Sequence, residues 1–290
     1  LRKVEKYLFP KTLAECVSFL DEYKGQARLV SGATDLTLWI KEGKFAPAVL
    51  VDVSELPEMR SIKMEDGKMI IGAAMTHAEV AADEMIKKYF KALADGCRSV
   101  GSPQIRNVGT LAGNIVSAQP AADSVVPMTA MDAKCEITGS IGSRIQPLSE
   151  LSKSVGVSNV DPTKEVLTRI FIEIPQCRYG TAFKRIAPRE AMALPVVNVA
   201  VMLKADEVGK ITQARIVASP VSIVPFRAIK AEDFICGERP SSELFIEAAK
   251  LAGEEASPRD SLLRGSGAYR KELVRDLVGQ ALKEASAALV

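Results

Sequence analysis

The sequence predicts an α+β protein in two parts, and three observations carry that prediction. Near the start, two apolar runs, "27-ARLV-30" and "48-AVLVDV-53", flank a short amphipathic stretch. A strand, helix, strand unit of this kind makes a small parallel sheet with buried strands. From residue 62 the texture changes: "62-IKMEDGKMIIGAAM-75" reads as a hairpin with Asp66-Gly67 at its turn. After Pro175, the stretches 181–188, 195–204 and 211–219 read as three antiparallel strands, followed by helices near 242–255 and 267–287. A sheet followed by helices forms an α+β layer. Pro175 is therefore a natural boundary between 1–175, with lobes of about 1–55 and 56–175, and 176–290.

The elements follow in order. After a short extended lead, Thr12 and Glu15 form a capping box for a helix that sets Leu13, Val17 and Leu20 on one face. Thr34 or Asp35 can cap a short helix through Leu36, Leu38, Trp39 and Ile40, which Gly43 ends. A second capping box, "76-THAE-79", starts a helix to about Tyr89, and another runs to about Arg98. "99-SVGSPQIRNVGTLAGN-114" is rich in Gly, Ser and Asn and reads as loop. Residues 121–133 return to helix, and "134-KCEITG-139" and "165-EVLTRIFIEIP-175" read as strands. There is no internal repeat and no low-complexity tract.

Composition narrows the function classes. Apolar residues make up 47% and charged residues 26%, and the net charge of +2 is spread along the chain. A nucleic-acid-binding face would show as a clustered basic block. No apolar run approaches the ~20 residues of a membrane span, and no secretory signal pattern opens the chain, so a cytoplasmic protein is expected. The five cysteines (Cys16, Cys97, Cys135, Cys177 and Cys236) are far apart and form no CxxC, which fits free, mostly buried thiols rather than a zinc or iron–sulfur site. His77 is the one histidine. Any enzyme chemistry would therefore lie with a bound cofactor.

Two stretches have the physics of anion sites. In "31-SGATDLTLWI-40", Ser31, Gly32, Ala33 and Thr34 sit where a strand end meets a helix N-terminus, a place that presents backbone N–H groups to a phosphate. The same residues suit an ordinary capped turn, and taken alone the stretch favours the turn. Neither GxGxxG nor GxxxxGK[ST] occurs. The second stretch, "104-QIRNVGTLAGN-114", offers Arg106, Asn107, Gly109, Thr110, Gly113 and Asn114, with Asp123 following at the entry to an apolar helix. Each of these also has a plain reading as turn or helix-entry residue. Two such loops in one chain are harder to explain as coincidence.

The ordered set of motifs resembles the FAD-binding medium subunit of the molybdenum hydroxylase family, which includes the flavin domain of xanthine dehydrogenase and the flavoprotein subunit of carbon monoxide dehydrogenase. "SGATDL" resembles the family's AGGTDL loop, and "IRNVGTLAGN" its IRN-x-x-T-[IL]-G-G-N loop. Asp123 matches an acidic residue nine positions on, "182-AFKR-185" a strand carrying F-x-K, and "268-AYRKELV-274" a YR-containing final helix. The resemblance implies a two-lobed α/β FAD-binding domain of the vanillyl-alcohol-oxidase (PCMH) type over 1–175. It also implies a small α+β C-terminal domain of the carbon monoxide dehydrogenase flavoprotein type over 176–290, with a three-stranded antiparallel sheet and helices.

The site is carried over by position. Arg28, Leu29, Val30, Ser31, Gly32, Ala33, Thr34 and Asp35 would follow the FAD pyrophosphate, mainly through backbone N–H groups. Thr110, Leu111, Ala112, Gly113 and Asn114 would wrap the diphosphate and ribityl region, and Asp123 would accept hydrogen bonds from FAD. Val100 and Gly101 fall where the family lines the flavin or adenine. Lys184 matches an FAD-contacting lysine, and its plain reading is a solvated lysine at a strand end. Leu167 matches a further position, although its strand is two residues longer than is usual for the family. His77 reads as capping or packing. No catalytic side chain and no metal ligand is expected.

Ala33 and Ala112 stand where the loops would carry glycine. The xanthine dehydrogenase branch also lacks glycine at the first position; Ala112 is the departure that puts backbone approach in question, with FAD binding still expected. The resemblance implies an electron-transfer subunit. A molybdopterin-binding large subunit would oxidise substrate, an iron–sulfur small subunit would relay electrons, and NAD or another carrier would accept them. Two other readings stay open. One is a stand-alone FAD-dependent oxidoreductase, for which Arg185, Arg189 and Glu190 are the nearby candidates, read here as a polar turn. The other is a non-enzymatic nucleotide-binding or assembly module.

Overall fold

The structure, a computed structural model, describes residues 4–289. It divides into two compact units. Among the described residues the first comprises 4–79, 103–118 and 133–172, and the second 80–102, 119–132 and 173–289.

In the first unit, β1 (Lys6–Leu8), β2 (Ala27–Val30) and β3 (Val49–Asp52) form a parallel sheet in the order β1-β3-β2. The predicted strand, helix, strand unit is thus present. The extended lead before the first helix is itself a strand, too short to show a period in sequence. Helix α1 (Leu13–Glu22) is capped as expected: Thr12 accepts from the Glu15 N–H at 3.1 Å, and Glu15 accepts from the Lys11 N–H at 2.6 Å. Its fully buried residues are Cys16 and Leu20. Helix α2 (Leu36–Lys41) starts at Asp35, but no side chain caps it. Gly43, at φ +74°, follows its end.

A second sheet has the order β4-β5-β10-β6-β7. The hairpin of β4 (Ile62–Glu65) and β5 (Lys68–Gly72) turns at Asp66-Gly67, both with positive φ. β6 (Lys134–Gly139) pairs with β7 (Gly142–Pro147), a mostly exposed edge strand whose single apolar residue, Ile145, gave no pattern to read. A two-stranded ribbon, β8 (Ser152–Ser154) and β9 (Val157–Ser158), precedes the central strand β10 (Glu165–Glu173).

The middle of the chain corrects three expectations. The single helix from Thr76 to Tyr89 is two, α3 (His77–Ala82) and α4 (Glu84–Tyr89). Asp83 takes an extended conformation between them and caps the second by accepting from the Ile86 N–H at 2.9 Å. After α5 (Lys91–Ser99), the stretch read as loop carries α6 (Pro103–Arg106) and α7 (Leu111–Val116). The helix expected over 121–133 is only α8 (Val125–Ala130).

In the second unit, β11 (Arg178–Ile186), β12 (Val197–Ala205) and β13 (Ile211–Ser219) form the expected antiparallel sheet, extended by a two-residue β14 (Phe226–Arg227). Helices α9 (Ile229–Ile235), α10 (Ser242–Glu255) and α11 (Gly267–Ser286) complete it. Val199, Val201 and Leu203 alternate along β12 and share a core with Val274, Val278 and Leu282 of α11, the period of two meeting the period of 3.6. α9 was not expected. Its Glu232 is buried, accepts from the Ile216 N–H at 2.9 Å and pairs with Arg227, which fixes β14 to the sheet.

Candidate functional site

The two glycine-bearing loops lie together in the first unit. Gly32 makes their approach possible: a β-carbon there would stand 1.9 Å from the Val108 carbonyl oxygen and 2.8 Å from the Gly109 α-carbon. Only glycine fits so close a backbone crossing. The next residue, Ala33, takes φ +57°, the left-handed region. Its carbonyl accepts from both the N–H and the hydroxyl of Thr37, at 3.0 and 2.8 Å.

The loops differ in what they have left to offer. In the second loop the donors are spent. Leu111 N–H goes to Met75 O at 3.1 Å, Ala112 N–H to Ala73 O at 2.8 Å, Gly113 N–H to Thr110 Oγ1 at 3.2 Å, and Asn114 N–H to Thr110 O at 3.0 Å. Thr76 and Thr110 form a bridge, and the His77 N–H donates to Gly109 O at 3.0 Å. The loop is stitched to residues 73–77 as a strand would be. Ala112 sits in the first turn of α7, in an ordinary helical conformation that does not call for glycine.

In the first loop the donors are unspent. The strand part is committed: Leu29 N–H donates to Pro162 O at 2.8 Å, Val30 O accepts from Val53 N–H at 2.9 Å, and the Arg28 guanidinium lies 3.7 Å from the centre of the Phe45 ring. Beyond it, no protein acceptor among the described residues receives the N–H of Ser31, Gly32 or Thr34. The Ser31 hydroxyl is buried with no partner. Burial raises the Asp35 carboxyl pKa, with Lys44 opposing.

His77 is buried beside this pair of loops, and its Nδ1 has no hydrogen-bond partner. Burial, helped by the charge of Arg106, lowers its pKa to about 4, so it is a neutral packing residue. Leu167 is buried on β10 immediately before a register shift against β6, where the strand bulges.

The second unit holds the other expected positions. Val100 ends α5, and Gly101 follows at φ +49° with its carbonyl accepting from the Met192 N–H at 3.0 Å. Asp123 is buried. Asn198 Nδ2 donates to its Oδ1 at 2.6 Å, and Arg185 Nε stands 3.2 Å from its Oδ2, a charge contact without hydrogen-bond alignment. Burial pushes the Asp123 pKa up to about 6, against the pull of Arg185 and Asn198. Lys184 is no solvated lysine at a strand end: on β11, it pairs with Glu284 Oε2 at 2.5 Å, while Lys91 takes Glu284 Oε1 at 2.8 Å. Arg185 is likewise a strand residue and not part of a polar turn; only Arg189 and Glu190 lie in one. Among the described residues no cluster of His, Cys, Asp or Glu could hold a metal ion.

Comparison with known proteins fits these features. A family model described as the FAD binding domain in molybdopterin dehydrogenase matches residues 2–176, and one described as the CO dehydrogenase flavoprotein C-terminal domain matches residues 182–285. The chain is 29% identical over 273 residues to the nicotinate dehydrogenase FAD-subunit of Eubacterium barkeri, covering 93% of this chain and 92% of that one. It is 28% identical over 278 residues to the xanthine dehydrogenase FAD-binding subunit of Escherichia coli O157:H7, covering 96% and 94%. Among solved structures, quinoline 2-oxidoreductase from Pseudomonas putida 86 matches with a TM-score of 0.90 at 26% identity, over 100% of both chains. The fold and its two loops define a flavoprotein component of an oxidoreductase. The chain belongs to the FAD-binding subunits of the molybdenum hydroxylase family. Among the described residues no helix is long and apolar enough to cross a membrane.

The first loop fits a dinucleotide on its own terms. Unspent N–H groups at a strand-to-helix turn and an orphaned buried hydroxyl are the donor set a diphosphate requires.

Proposed function

We propose that the chain is the electron-transfer flavoprotein of a larger complex. An iron–sulfur partner delivers electrons to FAD held here, an external carrier removes them, and a molybdopterin-containing partner oxidises the substrate. The observation that carries this reading is the donor row of Ser31, Gly32 and Thr34 with the unpartnered Ser31 hydroxyl. Bound FAD supplies the redox chemistry itself. The residues do the holding.

In this reading Ser31 to Asp35 bind the diphosphate, and Gly32 lets their backbone lie against the second loop. Thr110 to Asn114 act as a rigid wall, because the N–H groups of Leu111 to Asn114 are committed within the protein. By the family resemblance Asp123 would accept hydrogen bonds from the cofactor, and Val100, Gly101, Leu167 and Lys184 are further proposed contact residues. No side chain has to move a proton: the one histidine is buried and neutral. We also place the domain boundary near Pro175, with an FAD-binding domain before it and a C-terminal domain after it.

The test is anaerobic reduction. The purified chain should carry a visible flavin spectrum that dithionite bleaches but organic substrates do not. The same spectrum should bleach with substrate once the co-purifying iron–sulfur and molybdenum chains are present. Efficient oxidation of an organic substrate by this chain alone would replace the proposal with a self-contained flavoenzyme.

A further inference from the structure

We infer that Arg185 is the positioning residue of Asp123: its guanidinium keeps that buried carboxylate charged and aimed, so that it remains an acceptor toward the cofactor at neutral pH. The inference rests on the reading that Asp123 accepts hydrogen bonds from FAD.

The sheet register sets up the arrangement. Arg185 on β11 and Asn198 on β12 are direct antiparallel partners. Side chains opposite one another leave the same face of a sheet, and these two converge on Asp123, one on each oxygen. All three are withdrawn from water: Asn198 is fully buried, and the side chains of Asp123 and Arg185 are 5% and 11% exposed. Arg185 is held from behind as well, since its terminal nitrogen donates to the Ala193 carbonyl. It cannot swing away without leaving that carbonyl. Asn198 donates to Asp123 while its own Oδ1 stays buried without a partner, an orientation that suits a charged carboxylate.

Among the described residues, Asp123 interacts with Arg185 from β11, Asn198 from β12 and the Cys97 thiol from α5. Asn198 does not titrate, and burial raises the Cys97 pKa, which keeps that thiol neutral. Among the described residues Arg185 is therefore the cation that opposes the burial of the carboxylate. A buried carboxylate stripped of its counter-charge takes up a proton, and the group changes from pure acceptor to donor.

The experiment uses the full chain with Arg185→Met, Arg185→Gln and Arg185→Lys. The Asp123 carboxyl is titrated by carbon-13 NMR, and the FAD dissociation constant is measured from mildly acidic to mildly alkaline pH. In R185M the Asp123 pKa should rise by about one unit or more. FAD binding should weaken roughly tenfold at the acidic end and recover at the alkaline end. R185Q, which keeps a polar but uncharged end group, should do the same if R185M fails to fold. R185K should keep the wild-type profile. An unchanged Asp123 pKa in the neutral variants, or an affinity loss by one factor at every pH, would overturn the inference. Asp123→Asn separates it from the reading beneath it. Wild-type FAD affinity in D123N would refute the cofactor contact, while the NMR titration would still decide the coupling of Arg185 to Asp123.

Discussion

Gly32 lies against the carbonyl of Val108 so closely that a β-carbon would stand 1.9 Å from its oxygen. Both neighbours are backbone, so neither can rotate aside. Gly32→Ala should separate the two loops, destabilise the protein by about 1–3 kcal/mol, and sharply reduce the FAD that co-purifies. Thermal denaturation and flavin content measure both; a variant with near-normal FAD would mean the loop crossing is not needed for binding.

The two alanines should respond in opposite directions to glycine. Ala33 sits at φ +57°, where a β-carbon costs about 1 kcal/mol, so Ala33→Gly should raise the melting temperature. Ala112 sits inside α7, where glycine costs about 1 kcal/mol relative to alanine, so Ala112→Gly should lower it. Matching shifts of the same sign would contradict the backbone description.

Asp123 and His77 should tilt stability against each other with pH. The Asp123 pKa rises from 3.8 to about 6 on folding, so its contribution is full below 3.8 and is lost as pH rises through 6. The His77 pKa falls from 6.5 to about 4, so its contribution is full above 6.5 and is lost as pH falls through 4. Each amounts to something on the order of 3 kcal/mol, and they largely offset across the shared window. Urea midpoints should therefore vary little with pH in the wild type. In His77→Gln they should fall as pH rises through the window, and in Asp123→Asn they should fall as pH drops. Parallel profiles in all three proteins would rule this out.

Glu284 bridges Lys91 and Lys184, and its side chain is 32% exposed. Pairs this exposed contribute about 0–1 kcal/mol, so Glu284→Gln should barely change stability. It should instead release the charge of Lys184, tighten FAD binding at low salt and steepen its salt dependence. Titrating FAD at several ionic strengths checks this, and a binding curve superimposable on wild type would count against a role for Lys184 at the cofactor.

Much of the fold was legible because its strands are long or continuously apolar: β2, β3, β12 and β13 all read directly. β7 did not, since an exposed edge strand needs little hydrophobic content. The break at Asp83 was missed because a residue that interrupts one helix can cap the next. At the site, the sequence pointed to Ala112 as the doubtful residue and Ala33 as the tolerable one. The backbone reverses the order, because the letters record a missing glycine but not the sign of φ. Nor could the sequence show that Leu111 and Ala112 spend their N–H groups on Met75 and Ala73, carbonyls far away along the chain. Arg185 was passed over because it stands next to turn residues, and only the strand register reveals its partner.

The uncommitted donors of Ser31, Gly32 and Thr34 have a consequence for the chain's life in a cell. A protein that leaves such groups without internal partners folds into a state that its ligand completes. Binding to that state alone stabilises it in proportion to the logarithm of ligand supply. On the proposed reading that this loop holds FAD, flavin availability becomes a control on how much of this chain persists, and the prosthetic group acts as a chaperone for the fold.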